Sequence, residues 1–266
     1  MTKRIRRHPD FEVIVNITND DFIKPPRVDQ RNWILNAAMR EFAGNLEHLD
    51  RLASTFIAGS PEPVDLSIDR TNQPLTASEI MEDWQIPIMQ EMASYVTDRH
   101  GDVLEVGFGR GIASSFIQER GVASHTIVEC NEHVASGFDD WRTAGSVTNA
   151  RLILGKWQDV HDQFEMYDGI LFHAYPLNAE EYSSMVVNSS TFAEHFFEVA
   201  AAHLKPGGVF TYLTHEYDSL SREHQRVLFG HFESITLTIM DQLHVPDDSR
   251  DSMWADSIVL IKAVQS

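Results

Sequence analysis

The hydrophobic and polar positions change rhythm near residue 100. Before it, apolar residues recur mainly at helical spacing. "PPRVDQRNWILNAAMREFAGNLEHLDRLASTF" predicts an amphipathic helix from about 28 to 57. "FEVIVNIT", residues 11 to 18, alternates and predicts a strand. Pro61, Pro63 and Pro74 mark an irregular connection. "LTASEIMEDWQIPIMQEMASYV" predicts a helix opened by a capping box, Thr76 to Glu79, and bent at Pro87.

After His100, short apolar runs alternate with helical ones. "DVLEVG", "SHTIVE", "ARLIL" and "YDGILF" read as strands, with helices from 111 and 131 and a short one after "ARLIL". One long helix is expected over roughly 179 to 203, leading into "LKPGGVFTYL". Strands alternating with helices imply right-handed βαβ units and a mostly parallel sheet. "ESITLTIM" and "DSIVLIKAV" have no clear helix between them and predict an antiparallel hairpin at the sheet edge. The joining "HVPDDSRDSMWADS" reads as a solvated loop. The expectation is an α/β, Rossmann-like domain over 100–266, with an N-terminal helical cap or lid over 1–99.

Composition narrows the chemistry. Forty acidic residues against 21 basic ones give a net charge of −19, which would repel a nucleic-acid backbone. No apolar run reaches the roughly 18 residues of a membrane span. "MTKRIRRHPDFEV" is basic but lacks the apolar stretch of a secretory signal. Cys130 is the one cysteine, so no internal disulfide can form and a reducing cytoplasm is expected. The 13 histidines show no H-x-x-x-H with a flanking acid, and no bound metal is expected. Small molecules are the expected partners, without nucleic acid or a membrane. Nothing here sets oligomeric state, and a homodimer stays open.

Gly107, Gly109 and Gly111 follow the first strand directly in "DVLEVGFGRGIASSF". Glycines let backbone approach a ligand, and the next helix offers free N–H groups. Ile112 stands where a dinucleotide loop would carry its third glycine. Glu129 ends the second strand about twenty residues on, where an acid can bind both hydroxyls of a ribose. E-x-G-x-G-x-G, Glu129 and "LKPGG" in this order resemble class I S-adenosylmethionine (SAM) enzymes.

The resemblance narrows further. "MEDWQIPIM", "VLEVGFGRGIASS", "IVECNE", "GKWQDV", "YDGILFHAYPL" and "LKPGGVFTYL" are similar to guanidinoacetate N-methyltransferase over residues 80 to 215. The resemblance implies the class I SAM-dependent methyltransferase fold: a mostly parallel seven-stranded sheet, an antiparallel C-terminal hairpin and an N-terminal lid. It implies Glu105 and Gly107 at the methionine end of SAM, Glu129 on the ribose, and Trp157 with Gln158 near adenine. Phe108, Gly109, Gly111, Cys130 and Met89 complete the expected SAM-binding set.

That family binds its guanidinium with two carboxylates. Their positions here hold Gln85 and His173, neither of which can carry negative charge. Glu82, Asp83, Glu180 and Glu181 are the acids near enough in sequence to compensate. His173, Tyr175, Gln85 and Trp84 are the expected catalytic residues: His173 as base or hydrogen-bond partner, the aromatics as a wall for a sulfonium. His215 and Glu216, at the end of the fifth strand, could line the pocket, but a surface loop is the expectation.

Three functions follow from this reading. One is methyl transfer from SAM to a non-guanidine, weakly basic small molecule of secondary metabolism. A second takes SAM as sole substrate, as in azetidine-2-carboxylic acid synthases: the amino nitrogen displaces methylthioadenosine from its own γ-carbon. The third is a catalytically silent SAM-binding protein.

Overall fold

The computed structural model describes residues 70–181, 185, 189, 191–216, 220–240, 243–246 and 258–266. The strand expected over 11–18, the helix over 28–57 and most of the loop before the last strand lie outside them. Helix α1 (Ala77–Ile80) carries the complete capping box of Thr76 and Glu79. It stops at Met81, whose backbone is extended. A 3-10 turn, Asp83–Gln85, follows, and α2 spans Ile86–Val96. The one bent helix expected here is therefore three pieces. Pro87 lies in the first turn of α2, where its missing N–H costs no hydrogen bond.

Strand β1 (Asp102–Val106), helix α3 (Ile112–Glu119) and strand β2 (Ser124–Glu129) form the first βαβ unit. Helices α4 (Glu132–Ala135) and α5 (Phe138–Ala144) lead to β3 (Ala150–Leu154). Helix α6 (Trp157–Val160) precedes β4 (Tyr167–Phe172). The long helix expected over 179–203 is not continuous. Among the described residues it starts with a short α-helical piece, Ala179–Glu181; Thr191 is then extended, a 3-10 segment covers Phe192–Phe196, and α7 spans Phe197–His203. Polar Ser189, Ser190 and Thr191 favour such a break. Strand β5 (Leu204–Thr214) follows, then α8 (Arg222–His231), which sequence reading missed. Strands β6 (Ser234–Ile239) and β7 (Val259–Val264) end the chain.

The seven strands run β3-β2-β1-β4-β5-β7-β6, parallel except for β7, which pairs antiparallel with both β5 and β6. Apolar faces cover both sides of this sheet. Ile88, Met92 and Val96 of α2 pack with Val103, Leu171 and Leu260 on one side. Phe196, Phe197, Phe210 and Tyr212 form an aromatic stack on the other. Helix α2 thus lies against the sheet itself, although it precedes residue 100. Among the described residues no helix is long and apolar enough to cross a membrane.

The end of the sheet away from the glycine loop is tied by charge. Lys205 Nζ lies 2.6 Å from Asp102 Oδ2 and 2.7 Å from Asp168 Oδ2. Asp102 is held below the usual carboxylate range by Lys205 and then Ser124, and Lys205 is raised by Asp102 and then Asp168. The depressed Asp102 contributes stability above its unfolded pKa that is lost as pH falls through the folded one. Partial exposure keeps the expected cost of Lys205→Met near 1 kcal/mol at pH 7. Thermal melts should show the wild-type advantage at pH 7 shrinking below pH 3.8. An equal advantage at both pH values would place the effect in packing of the lysine stem.

Candidate active site

The pocket opens at the C-terminal ends of β1, β2 and β4, where open α/β sheets bind ligands. Gly107, Phe108 and Gly109 form one wall, and Glu129, Cys130 and Asn131 the next. Trp157 and Gln158 from the start of α6 line the pocket as well, as do His173 and Tyr175 after β4. Met81 and Met89 approach from the segment before β1.

Glu129 organises one side of the pocket. Its Oε2 accepts the backbone N–H of Phe108 at 3.1 Å and Gly109 at 3.2 Å. Its Oε1 accepts Cys130 N–H at 2.8 Å and Asn131 N–H at 2.9 Å. One carboxylate therefore holds both loops that frame the pocket. Burial, then the Glu129 charge, push the neighbouring Cys130 up to about 12, so its sulfur stays a thiol.

Asn131 extends this frame. Its Oδ1 caps α4 by accepting His133 and Val134 N–H at 2.9 and 3.0 Å. Its Nδ2 donates to the carbonyls of Arg70 and Gln73 at 2.5 and 2.9 Å. Arg70 N–H also donates to Leu177 O at 3.1 Å, so the segment before α1 is strapped across the pocket. Sequence reading missed Asn131, though Asn at the start of an acidic helix is a capping signal. Arg70 offered no such signal.

Past the end of β4, His173 N–H donates to Val106 O at 3.0 Å, which seats the tip of β4 against the glycine loop. Burial pushes its imidazole down from 6.5 to about 4, so it is neutral at physiological pH. Tyr175 meets it edge to face, with ring centroids 6.0 Å apart. Trp157 is buried edge to face on Phe172 and Phe196. Phe108 packs the same way on Phe138 and Trp141.

Three of the residues expected at the site lie outside this pocket wall. Trp84 and Gln85 are buried in the 3-10 turn, with Trp84 Nε1 donating to Glu82 Oε2 at 2.8 Å. Gly111 starts α3 behind the loop, where a side chain would press on Trp141 and Phe108. Glu216 corrects another expectation, for it is buried rather than on a surface loop. Its Oε2 lies 2.8 Å from His224 Nδ1, and His224 Nε2 lies 2.6 Å from the Tyr212 hydroxyl. This chain anchors α8 to β5. Among the described residues no group of three or more metal-ligating side chains gathers.

The residues present fit a SAM-like molecule. Glu105 lines the pocket, is fully buried, and keeps Oε1 without a hydrogen-bond partner among the described residues. Gly107 leaves no room for a side chain. The fold matches that of M. jannaschii TYW2, solved with AdoMet, at a TM-score of 0.52 and 15% identity over 71% of this chain and 80% of that one. The model of guanidinoacetate N-methyltransferase matches residues 66–239, and the chain belongs to that family. It is also similar to protein arginine N-methyltransferase 2 of Yarrowia lipolytica, 30% identical over 50% of this chain and 28% of the relative. The same-named protein of Kluyveromyces lactis is 31% identical over 50% of this chain and 32% of its own length. The chain thus spans about a third of the length of these relatives.

Proposed function

We propose that this chain uses SAM to methylate a small molecule that presents a neutral nucleophile rather than a guanidinium. The supporting observation is that three of the four acids near enough in sequence to compensate already hold other groups. Asp83 Oδ1 is 2.6 Å from Arg110 Nη1, and Glu82 holds the Trp84 indole. Glu181 holds Lys156 Nζ at 2.9 Å with one oxygen and Leu177 N–H at 2.9 Å with the other. A guanidinium entering beside neutral His173 would meet no spare carboxylate among these, and burying an unpaired cation is costly.

SAM supplies an electrophilic methyl group. The protein's part is to hold the acceptor in line with it and keep water out. Neutral His173 accepts a hydrogen bond from the acceptor N–H or O–H. A pKa near 4 makes it a holder of the nucleophile rather than a store for its proton. The relatives named for arginine methylation argue for a guanidine acceptor, but by the family resemblance Gln85 and His173 stand where its two carboxylates are expected.

The same shortage of acceptor carboxylates supports a second reading, in which SAM is the sole substrate and yields azetidine-2-carboxylic acid and methylthioadenosine. Incubation with SAM alone, followed by mass spectrometry against a protein-free control, separates the two. Intact SAM, then release of S-adenosylhomocysteine on adding amines, phenols or carboxylates, supports methyl transfer. Methylthioadenosine with an equal amount of a cyclic C4 amino acid supports the second reading. Turnover of guanidinoacetate or arginine would overturn the proposed acceptor class.

His173 gives a pH test. Its folded pKa is depressed, so the unfolded chain takes up the proton first, and stability falls as pH drops from 6.5 toward 4. His173→Gln should flatten that part of the stability profile. Turnover of the wild type should show no His173 inflection between about pH 6 and 9. An inflection near 6.5 that vanishes in His173→Gln would assign the imidazole a proton-carrying role.

A further inference from the structure

Behind the pocket floor, the two oxygens of Glu105 have unlike surroundings. Oε2 accepts the Ser114 hydroxyl at 2.7 Å and lies 3.0 Å from His125 Nε2. Oε1 has no hydrogen-bond partner among the described residues. Both Glu105 and His125 are fully buried. The Nε2 contact is at ion-pair distance but bent away from hydrogen-bond geometry, so it acts through charge and contact more than through direction. Behind the imidazole, Gln118 Nε2 is 3.2 Å from Nδ1. An amide nitrogen only donates, so Nδ1 accepts and the ring proton sits on Nε2, facing Glu105. Trp141 meets the ring edge to face and fixes its plane.

We propose that His125, set by Gln118, is a positioning residue for the amino-acid end of SAM. Together with Ser114 it keeps Oε2 within the protein, which leaves Oε1 for the α-ammonium group. A buried carboxylate oxygen needs a cation or donor, and the pocket is the side from which one can come. This inference rests on the reading that the pocket binds SAM, so wild-type binding of SAM and S-adenosylhomocysteine is measured first. Failure there removes that reading and leaves the role of His125 to fall with it.

The test compares three ligands by calorimetry. SAM and S-adenosylhomocysteine carry the α-ammonium, SAM alone carries the sulfonium, and 5′-methylthioadenosine carries neither. His125→Leu should weaken SAM and S-adenosylhomocysteine alike, by about tenfold, and leave methylthioadenosine within about twofold. His125→Gln puts an amide donor near the position of Nε2 and should recover most of the loss. Equal weakening of all three ligands would make His125 structural and overturn the proposal. Weakening of SAM alone would direct Oε1 to the sulfonium and also overturn it, as would no change. Should His125→Leu fail to fold, Gln118→Leu, at a half-buried position of α3, carries the test. It should produce a smaller loss, about threefold, with the same split between ligands. No split in Gln118→Leu would count against the relay.

Discussion

Glu129→Gln is expected to weaken SAM binding by about a hundredfold, nearly as much as Glu129→Ala. The reason lies in the four backbone N–H groups that Glu129 accepts, two on each oxygen. A carboxylate has about four lone-pair sites and can serve them all. A glutamine amide keeps one oxygen and turns an NH2 group toward two N–H donors. Whichever way the amide faces, either the Phe108–Gly109 loop or the Cys130–Asn131 turn loses its acceptor and meets a donor instead. Were Glu129 only a partner for ribose hydroxyls, Gln would serve well, since an amide both donates and accepts. Calorimetric titration with SAM decides between the two roles. A Gln variant within about threefold of wild type would reduce Glu129 to a ribose contact.

This double role also shows which features the amino-acid order exposes. Strands β1 to β5 were legible because strands between helices leave short, mostly apolar runs such as "DVLEV" and "YDGILF". The glycine loop and Glu129 were legible because both sit at strand ends with fixed spacing. Helix lengths were less so. Periodicity alone runs through the break at Thr191 and the turn at Asp83–Gln85. The strap from Arg70 to Asn131 joins residues 61 apart, and no local pattern announces it. His125 was hidden for the opposite reason: within "SHTIVE" it reads as one more inward position of a buried strand. Only the contact with Glu105 across the β1–β2 pairing gives it a role. Trp84 and Gln85 show a limit of resemblance. Matching positions in a motif fixes order along the chain, whereas the wall of the described pocket is formed by Met81 and Met89 on either side of them.

Gly107→Ala should abolish turnover, to below about one hundredth of wild type, and cost about 3 kcal/mol of stability. Gly107 has φ 100°, a conformation that L side chains rarely adopt. A Cβ there would lie 2.3 Å from the carbonyl oxygen of His173 and 3.2 Å from its carbonyl carbon. Both are backbone atoms, so no side-chain rotation relieves the clash. The two segments are also pinned in place. Gly107 N–H donates to Val128 O at 2.9 Å, and His173 N–H donates to Val106 O at 3.0 Å. Relief requires the tip of β4 to move off β1, which carries His173 and Tyr175 away from the Gly107 side of the pocket. Gly121→Ala separates this clash from backbone strain, because Gly121 also has positive φ, 73°, but nothing lies within 4 Å of its added Cβ. That variant should lose about 1 kcal/mol and keep full turnover. Melting temperature and single-turnover rate measured on both variants then give the contrast. If Gly107→Ala behaves like Gly121→Ala, the approach of the two backbones does not set the geometry of the site. If turnover alone collapses while stability matches Gly121→Ala, β4 yields at little cost, and the tip bearing His173 is a movable part of the active site.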